Sequence, residues 1–200
     1  MGNDPVLWSG AIRKFIPAVM CLCLALPASA ATLEGTTLPD RYTVDGQPLV
    51  LNGIGLRTLT ILHVKVYVAG LYLTQQAHDS TQILKSPGPK VIIMKFLRDA
   101  SKADVEKQYR AGEAANCGHG ECAKEDEADF EKMVAAAPGV SAGDTFTYEF
   151  TRKGLRLLMN GKLVGDYPNM DLAYHFLAAF ISEHAPSQEL RAQLLGVPPQ

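Results

Sequence analysis

The stretch Leu51–Leu73, LNGIGLRTLTILHVKVYVAGLYL, decides how this chain folds. It is rich in Leu, Val and Ile, residues that suit a pleated, buried backbone, yet it carries Arg57, Lys65 and Tyr67. At its head Gly53 and Gly55 have no side chains, so another backbone or a ligand can approach closely there. The guanidinium of Arg57 is an always-charged fork suited to a carboxylate or another oxyanion. The competing reading is a strand-end arginine whose head reaches water, as long basic side chains commonly do, and these residues alone favour it. Tyr67 shares the strand parity of Arg57. On one straight strand the two would stand about 33 Å apart at 3.3 Å per residue. A common ligand therefore requires the chain to fold back or bulge near Leu62 and His63.

Working outward, RYTVDGQPLV at residues 41–50 reads as two short strands about an Asp45-Gly46 turn, where glycine accepts the positive φ. KVIIMKFL at Lys90–Leu97 is a buried strand after the SPGP loop. Ser101 is an N-cap for a helix through SKADVEKQYRAGEAAN, and a second helix is predicted over roughly Ala123 to Ala137. Phe146, Tyr148 and Phe150 alternate with polar residues, and Asn160-Gly161 marks another tight hairpin turn. NMDLAYHFLAAFISEH and SQELRAQLLG are two closing helices, the second ended by Gly196. There is no internal repeat, low-complexity tract or interdomain linker. Strands in hairpin order, segregated from helices, predict an α+β domain with one large antiparallel sheet and a layer of helices on one face.

The chain has 200 residues, 47% of them hydrophobic, enough for one domain with a real core. A net charge of -2 and the lack of a polybasic segment argue against nucleic acid or a membrane surface as partner. Residues 1–30 read as a signal peptide. Arg13 and Lys14 precede a short apolar run that closes on Ala28-Ser29-Ala30, a small-residue cleavage pattern. The expected products are a domain over residues 31–200, a periplasmic or secreted location, and no stable membrane insertion after cleavage. Cys21 and Cys23 leave with the signal, whereas Cys117 and Cys122 in NCGHGEC remain as an even pair. In an oxidising compartment such a pair closes a small disulfide loop. A metal site of Cys117, His119 and Cys122 is the alternative, but it lacks a nearby fourth ligand, so no metal is expected.

No nucleophile elbow, P-loop or dinucleotide fingerprint is present, since GIGLRT lacks the third glycine and the following helix. The histidines, His63, His78, His119, His175 and His184, are too scattered for spacing to assemble a cluster or a triad. Tyr109 and Asn116 lie seven residues apart on the first predicted helix, hence on one face. They could hydrogen-bond one ligand, or simply pack on the sheet and end the helix.

Taken together, the Gly-x-Gly-x-Arg element at Gly53–Arg57, the strand KVYVAGLYL and the Tyr109/Asn116 spacing resemble the chalcone isomerase superfamily. The likeness is greatest to its secreted bacterial chalcone isomerase-like branch and spans about Pro48 to Gly196. It implies a large antiparallel sheet, a helical layer over one face, and a ligand cleft between them. In the plant enzymes that cleft closes a chalcone to a flavanone without a cofactor. An Arg helps hold the charge, while a Thr, a Tyr and ordered water stabilise the enolate. On that likeness Arg57 and Tyr109 are the catalytic candidates of a cofactor-free intramolecular lyase, and Asn116 is a substrate contact. Tyr67, however, stands where the plant enzymes have Thr, and the late-helix hydroxyl position falls near Ala179 or Phe180. An Arg with a Tyr at the Thr position is similar to the non-catalytic fatty-acid-binding branch. The leading expectation is therefore a binder of a fatty acid or other small apolar carboxylate, with Arg57, Tyr67, Tyr109 and Asn116 as ligand-binding residues. The lyase is the second expectation, and a structural or partner-binding envelope protein is the third.

Overall fold

The computed structural model describes residues 1–2, 30–59, 62–118, 122 and 124–198. The expected signal peptide falls almost wholly outside these residues, as does His119. Among the described residues no helix is long and apolar enough to cross a membrane.

A two-stranded hairpin, β1 (Ala30–Leu33) and β2 (Thr36–Pro39), comes first. Seven further strands form one antiparallel sheet in sequence order: β3 (Arg41–Val44), β4 (Gln47–Leu59), β5 (Val64–Leu73), β6 (Lys90–Phe96), β7 (Thr145–Thr151), β8 (Gly154–Met159) and β9 (Lys162–Tyr167). Helix α1 (Ser80–Lys85) lies between β5 and β6, α2 (Lys102–Cys117) and α3 (Lys124–Ala136) between β6 and β7, and α4 (Met170–Ile181) and α5 (Gln188–Leu195) after β9. This is the expected α+β architecture.

Local chemistry sets the punctuation. Asp45-Gly46 and Asn160-Gly161 hold positive φ at both central residues, 48° and 76° in the first and 50° and 77° in the second. That geometry matches the twist of the flanking strands. Ser101 caps α2 in a reciprocal box with Asp104, and Gly196 ends α5 at φ 65°. Two elements lie outside the sequence reading. The β1–β2 hairpin turns at Glu34-Gly35, also at positive φ, and α1 is only six residues long, too short to show a period.

The opening stretch is two strands. β4 and β5 pair antiparallel about a turn that contains Leu62 and His63, the latter at φ 50°. Arg57 and Tyr67 consequently stand directly opposite one another, just before a register shift at Arg57/Thr58. β5 is buried on both sides from Val66 to Leu73, which is why it reads as an unbroken apolar run. One face of the sheet packs Tyr67, Leu71, Ile92, Met94, Phe146 and Tyr148 against the helices. The other packs Leu49, Val68, Tyr72, Val91 and Ile93 beneath Leu38 of the β1–β2 hairpin.

Gly53 admits the backbone of α5, and Gly55 admits side chains of the same helix. A Cβ on Gly53 would stand 2.3 Å from the Gln193 carbonyl oxygen, and one on Gly55 would stand 2.8 Å from the Gln193 Cβ. The same contact is stitched by hydrogen bonds. Asn52 Nδ2 donates to the Leu194 carbonyl at 2.9 Å, and the Leu56 N–H donates to Gln193 Oε1 at 2.8 Å. β4 is thereby held against the end of α5, which closes the helical layer next to Arg57.

Candidate functional site

Between the sheet and the helical layer lies a cavity of about 310 Å³. Its volume is near the lower end of the roughly 300–1,000 Å³ typical of ligand pockets. The sheet supplies Val66, Met94, Phe96 and Phe146 to its wall, and the helices supply Val105, Phe176, Phe180 and Leu190. Gly112 of α2 lets α4 cross closely at this wall, because a Cβ there would meet the Ala179 Cβ at 3.0 Å. The polar groups reaching the cavity sit in separate zones.

One zone is the Arg57–Tyr67 pair. Both residues line the cavity, Tyr67 buried and Arg57 half-buried. Burial pushes the Tyr67 phenol up to about 12, while the facing guanidinium pulls it the other way. At neutral pH the phenol is therefore a hydrogen-bond donor beside a permanent cation. Among the described residues neither the phenol oxygen nor the guanidinium has a hydrogen-bonding or ion-pairing partner in the protein. A ligand carboxylate is the complementary group, since it accepts hydrogen bonds and carries the opposite charge.

Deeper in the cavity Tyr109 Oη and Tyr148 Oη hydrogen-bond at 2.9 Å. Burial raises both phenols well beyond their ordinary range, so the pair is neutral. Tyr109 is clamped further by edge-on packing against Phe176, with ring centroids 5.4 Å apart. At the exposed rim stand Arg98 and Lys107 with Asp99 and Asp104. The two carboxylates are already engaged by backbone N–H groups: Asp99 accepts from Ala142 at 2.8 Å and Asp104 from Ser101 at 3.0 Å.

The structure thus gathers Arg57, Tyr67 and Tyr109 around one cavity. Asn116 does not line it. Its Nδ2 donates to the Gly112 carbonyl at 2.9 Å and its Oδ1 accepts from Ser182 Oγ at 2.8 Å, which joins α2 to the end of α4. Helical spacing placed Asn116 on the buried face but could not say which neighbour would take its amide. Tyr148 is the cavity residue that the sequence did not single out. Its alternation with Phe146 and Phe150 marks a core strand, and nothing local distinguishes a phenol that meets Tyr109 from one that merely fills space. Ala179 and Phe180 both border the cavity, so no hydroxyl stands at the late-helix position. Cys117 and Cys122 form the expected disulfide, with Cα atoms 5.1 Å apart.

Comparison with known proteins agrees with this architecture. The sequence profile described as chalcone isomerase-like matches residues 30–196. No curated protein matches by sequence. Among solved structures, a fatty-acid binding protein of Arabidopsis thaliana superposes with a TM-score of 0.65 at 15% identity. The alignment covers 84% of this chain and 96% of that one. At that identity the likeness concerns the fold.

Proposed function

The chain belongs to the chalcone isomerase-like family, and on that premise we propose that it binds a fatty acid or another small apolar carboxylate in the cavity between sheet and helices. One observation carries this reading: Arg57 and Tyr67 face each other at an apolar cavity, and no carboxylate of the described residues occupies the guanidinium. A carboxylate head would take a charged hydrogen bond from Arg57 and a second from Tyr67. Apolar burial of the chain would then add affinity of roughly 0.8 kcal/mol per methylene. The similarly folded Arabidopsis protein, a fatty-acid binding protein by its description, supports the same ligand class. The lyase reading has less support. Tyr109 is engaged with Tyr148, and the late-helix wall is Ala179 and Phe180.

Native mass spectrometry of the purified protein tests the proposal. A co-purifying fatty acid, lost in Arg57→Ala, is expected. Flavanone formation above the spontaneous rate, abolished by the same substitution, would overturn binding in favour of catalysis. Failure to retain any fatty acid, even after incubation with excess, would leave the envelope-protein reading.

We also propose export, because Arg13, Lys14, the apolar run and Ala28-Ser29-Ala30 make a signal and cleavage pattern. N-terminal sequencing of the protein recovered from outside the cytoplasm should begin at Ala31. An intact N-terminus there would overturn cleavage.

A further inference from the structure

Next to the first cavity, and sharing Tyr109, Phe176 and Ala179 with it, a second cavity of about 200 Å³ opens between α2, α3 and α4. The Cys117–Cys122 disulfide borders it, joining the end of α2 to the residues just before α3. His175 of α4 borders it too. A ring nitrogen of His175 and the two sulfur atoms all lie within 4.8 Å of one another. His175 Nδ1 donates to Asp126 Oδ2 at 3.1 Å, and Asp126 is buried.

Two sulfurs, an imidazole and a carboxylate behind the imidazole are the parts of a zinc-type site. Sulfur ligands sit about 2.3 Å from zinc and imidazole nitrogens about 2.0 Å, so any two ligand atoms on one ion lie within about 4.6 Å of each other. The imidazole nitrogen therefore lies close to the distance from the sulfurs that one ion would require, while the two sulfurs are bonded and must separate. A carboxylate accepting from one imidazole nitrogen keeps the lone pair on the other and fixes the ring's orientation, the usual support of a metal-bound histidine. The bond between the two sulfurs must break first, and with three protein ligands the fourth position is left to water or another small ligand.

We propose that reduction of the Cys117–Cys122 disulfide converts this cluster into a binding site for a zinc-like divalent ion. The ligands are Cys117, Cys122 and His175, Asp126 positions the imidazole, and the fourth coordination position faces the cavity. The chemistry balances with a dithiol as reductant. The dithiol passes two electrons and two protons to the disulfide, is itself oxidised to a disulfide, and leaves two thiols on the protein. One divalent ion then displaces both protons as the thiolates coordinate. Metal occupancy in turn holds the sulfurs apart and opposes reoxidation. None of Cys117, Cys122, His175 and Asp126 lines the carboxylate cavity, so the proposal does not rest on a fatty acid binding there.

Cobalt(II) and zinc titrations of the full chain test the proposal, in the oxidised form and after phosphine reduction with the reductant removed. The reduced protein should bind one ion per chain with a thiolate-to-cobalt charge-transfer band, and the oxidised protein should show none. Asp126→Asn should weaken the reduced site about 10- to 100-fold. His175→Ala should weaken it further and change the cobalt spectrum. Nitrogen NMR of the His175 ring in the reduced wild-type protein needs no substitution, and zinc should shift it. A reduced protein without the cobalt band, or a His175 ring unmoved by zinc, would overturn the proposal.

Discussion

Two arginines on opposite faces of one sheet have opposite fates. Arg156 of β8 stands directly across from Glu149 of β7 and bonds it at 2.8 Å, and it also bonds Asp45 at 2.9 Å. Tyr42 donates to the same Glu149 at 2.7 Å, so the carboxylate is saturated from both sides. Arg57 of β4 stands directly across from Tyr67, beside a cavity, and has no carboxylate among the described residues. The first arginine is paired with two carboxylates through one end of its guanidinium, although its buried Nε has no partner, whereas the second has no carboxylate at all among the described residues. A cation held in place by structure yet unpaired within it is what a site for an external anion requires.

The largest expected effect is on the saturated side. Glu149→Ala removes a buried carboxylate that accepts from both Tyr42 and the half-buried Arg156, and breaking such a pair costs roughly 3–5 kcal/mol. The low end is expected here because Asp45 remains. Urea unfolding should show that loss with fatty-acid affinity unchanged, and equal stability would show that Arg156 is as free as Arg57. The second arginine should behave the other way round. Arg57→Met removes a charged hydrogen bond of about 1.5–3 kcal/mol, which is a 10- to 100-fold loss of affinity in a fatty-acid displacement titration. Its urea midpoint should stay near wild type. A variant that unfolds rather than loses ligand would make the comparison collapse.

The alkaline limb sharpens the cavity side. Unfolded tyrosines titrate near 10, whereas burial carries Tyr67 to about 12 and Tyr109 and Tyr148 higher. The folded chain therefore keeps protons that the unfolded chain releases. The stabilisation is whole below pH 10 and is lost as pH climbs through 12 for Tyr67, by roughly 1.4 kcal/mol per pH unit for each such phenol. Thermal melts from pH 9 to 12 should fall accordingly. Ultraviolet titration of Arg57→Met should move the Tyr67 ionisation upward, because the cation that lowers it has gone. A downward movement would place Arg57 elsewhere. The smallest effect is expected from Tyr67→Phe. It forfeits one hydrogen bond of about 0.5–1.5 kcal/mol to the ligand, a two- to tenfold weakening by the same titration, with no loss of stability because that phenol has no partner in the protein. A drop in stability would mean that Tyr67 is structural, as Tyr148 is.

Legibility in the sequence followed the range of the interaction. Turns and caps are decided within four residues, so Asp45-Gly46, Asn160-Gly161, Ser101 and Gly196 could be read directly, and with them the hairpin order of the sheet. The family likeness marked Arg57, Tyr67 and Tyr109. The same text could not place Asn116 between Gly112 and Ser182, nor pair Glu149 with Arg156, nor bring His175 to Cys117 and Cys122. Each of these depends on which helix or strand arrives beside it. In Leu51–Leu73 the division is plain. The sequence by itself determined a β-rich stretch with close-approach glycines and an arginine that had two possible uses. Only the tertiary structure decided that Gly53 and Gly55 seat α5, and that the chain turns at His63 to set Arg57 against Tyr67. The reason is physical: side-chain alternation fixes which face a residue takes, but strand pairing and helix docking fix what it meets there.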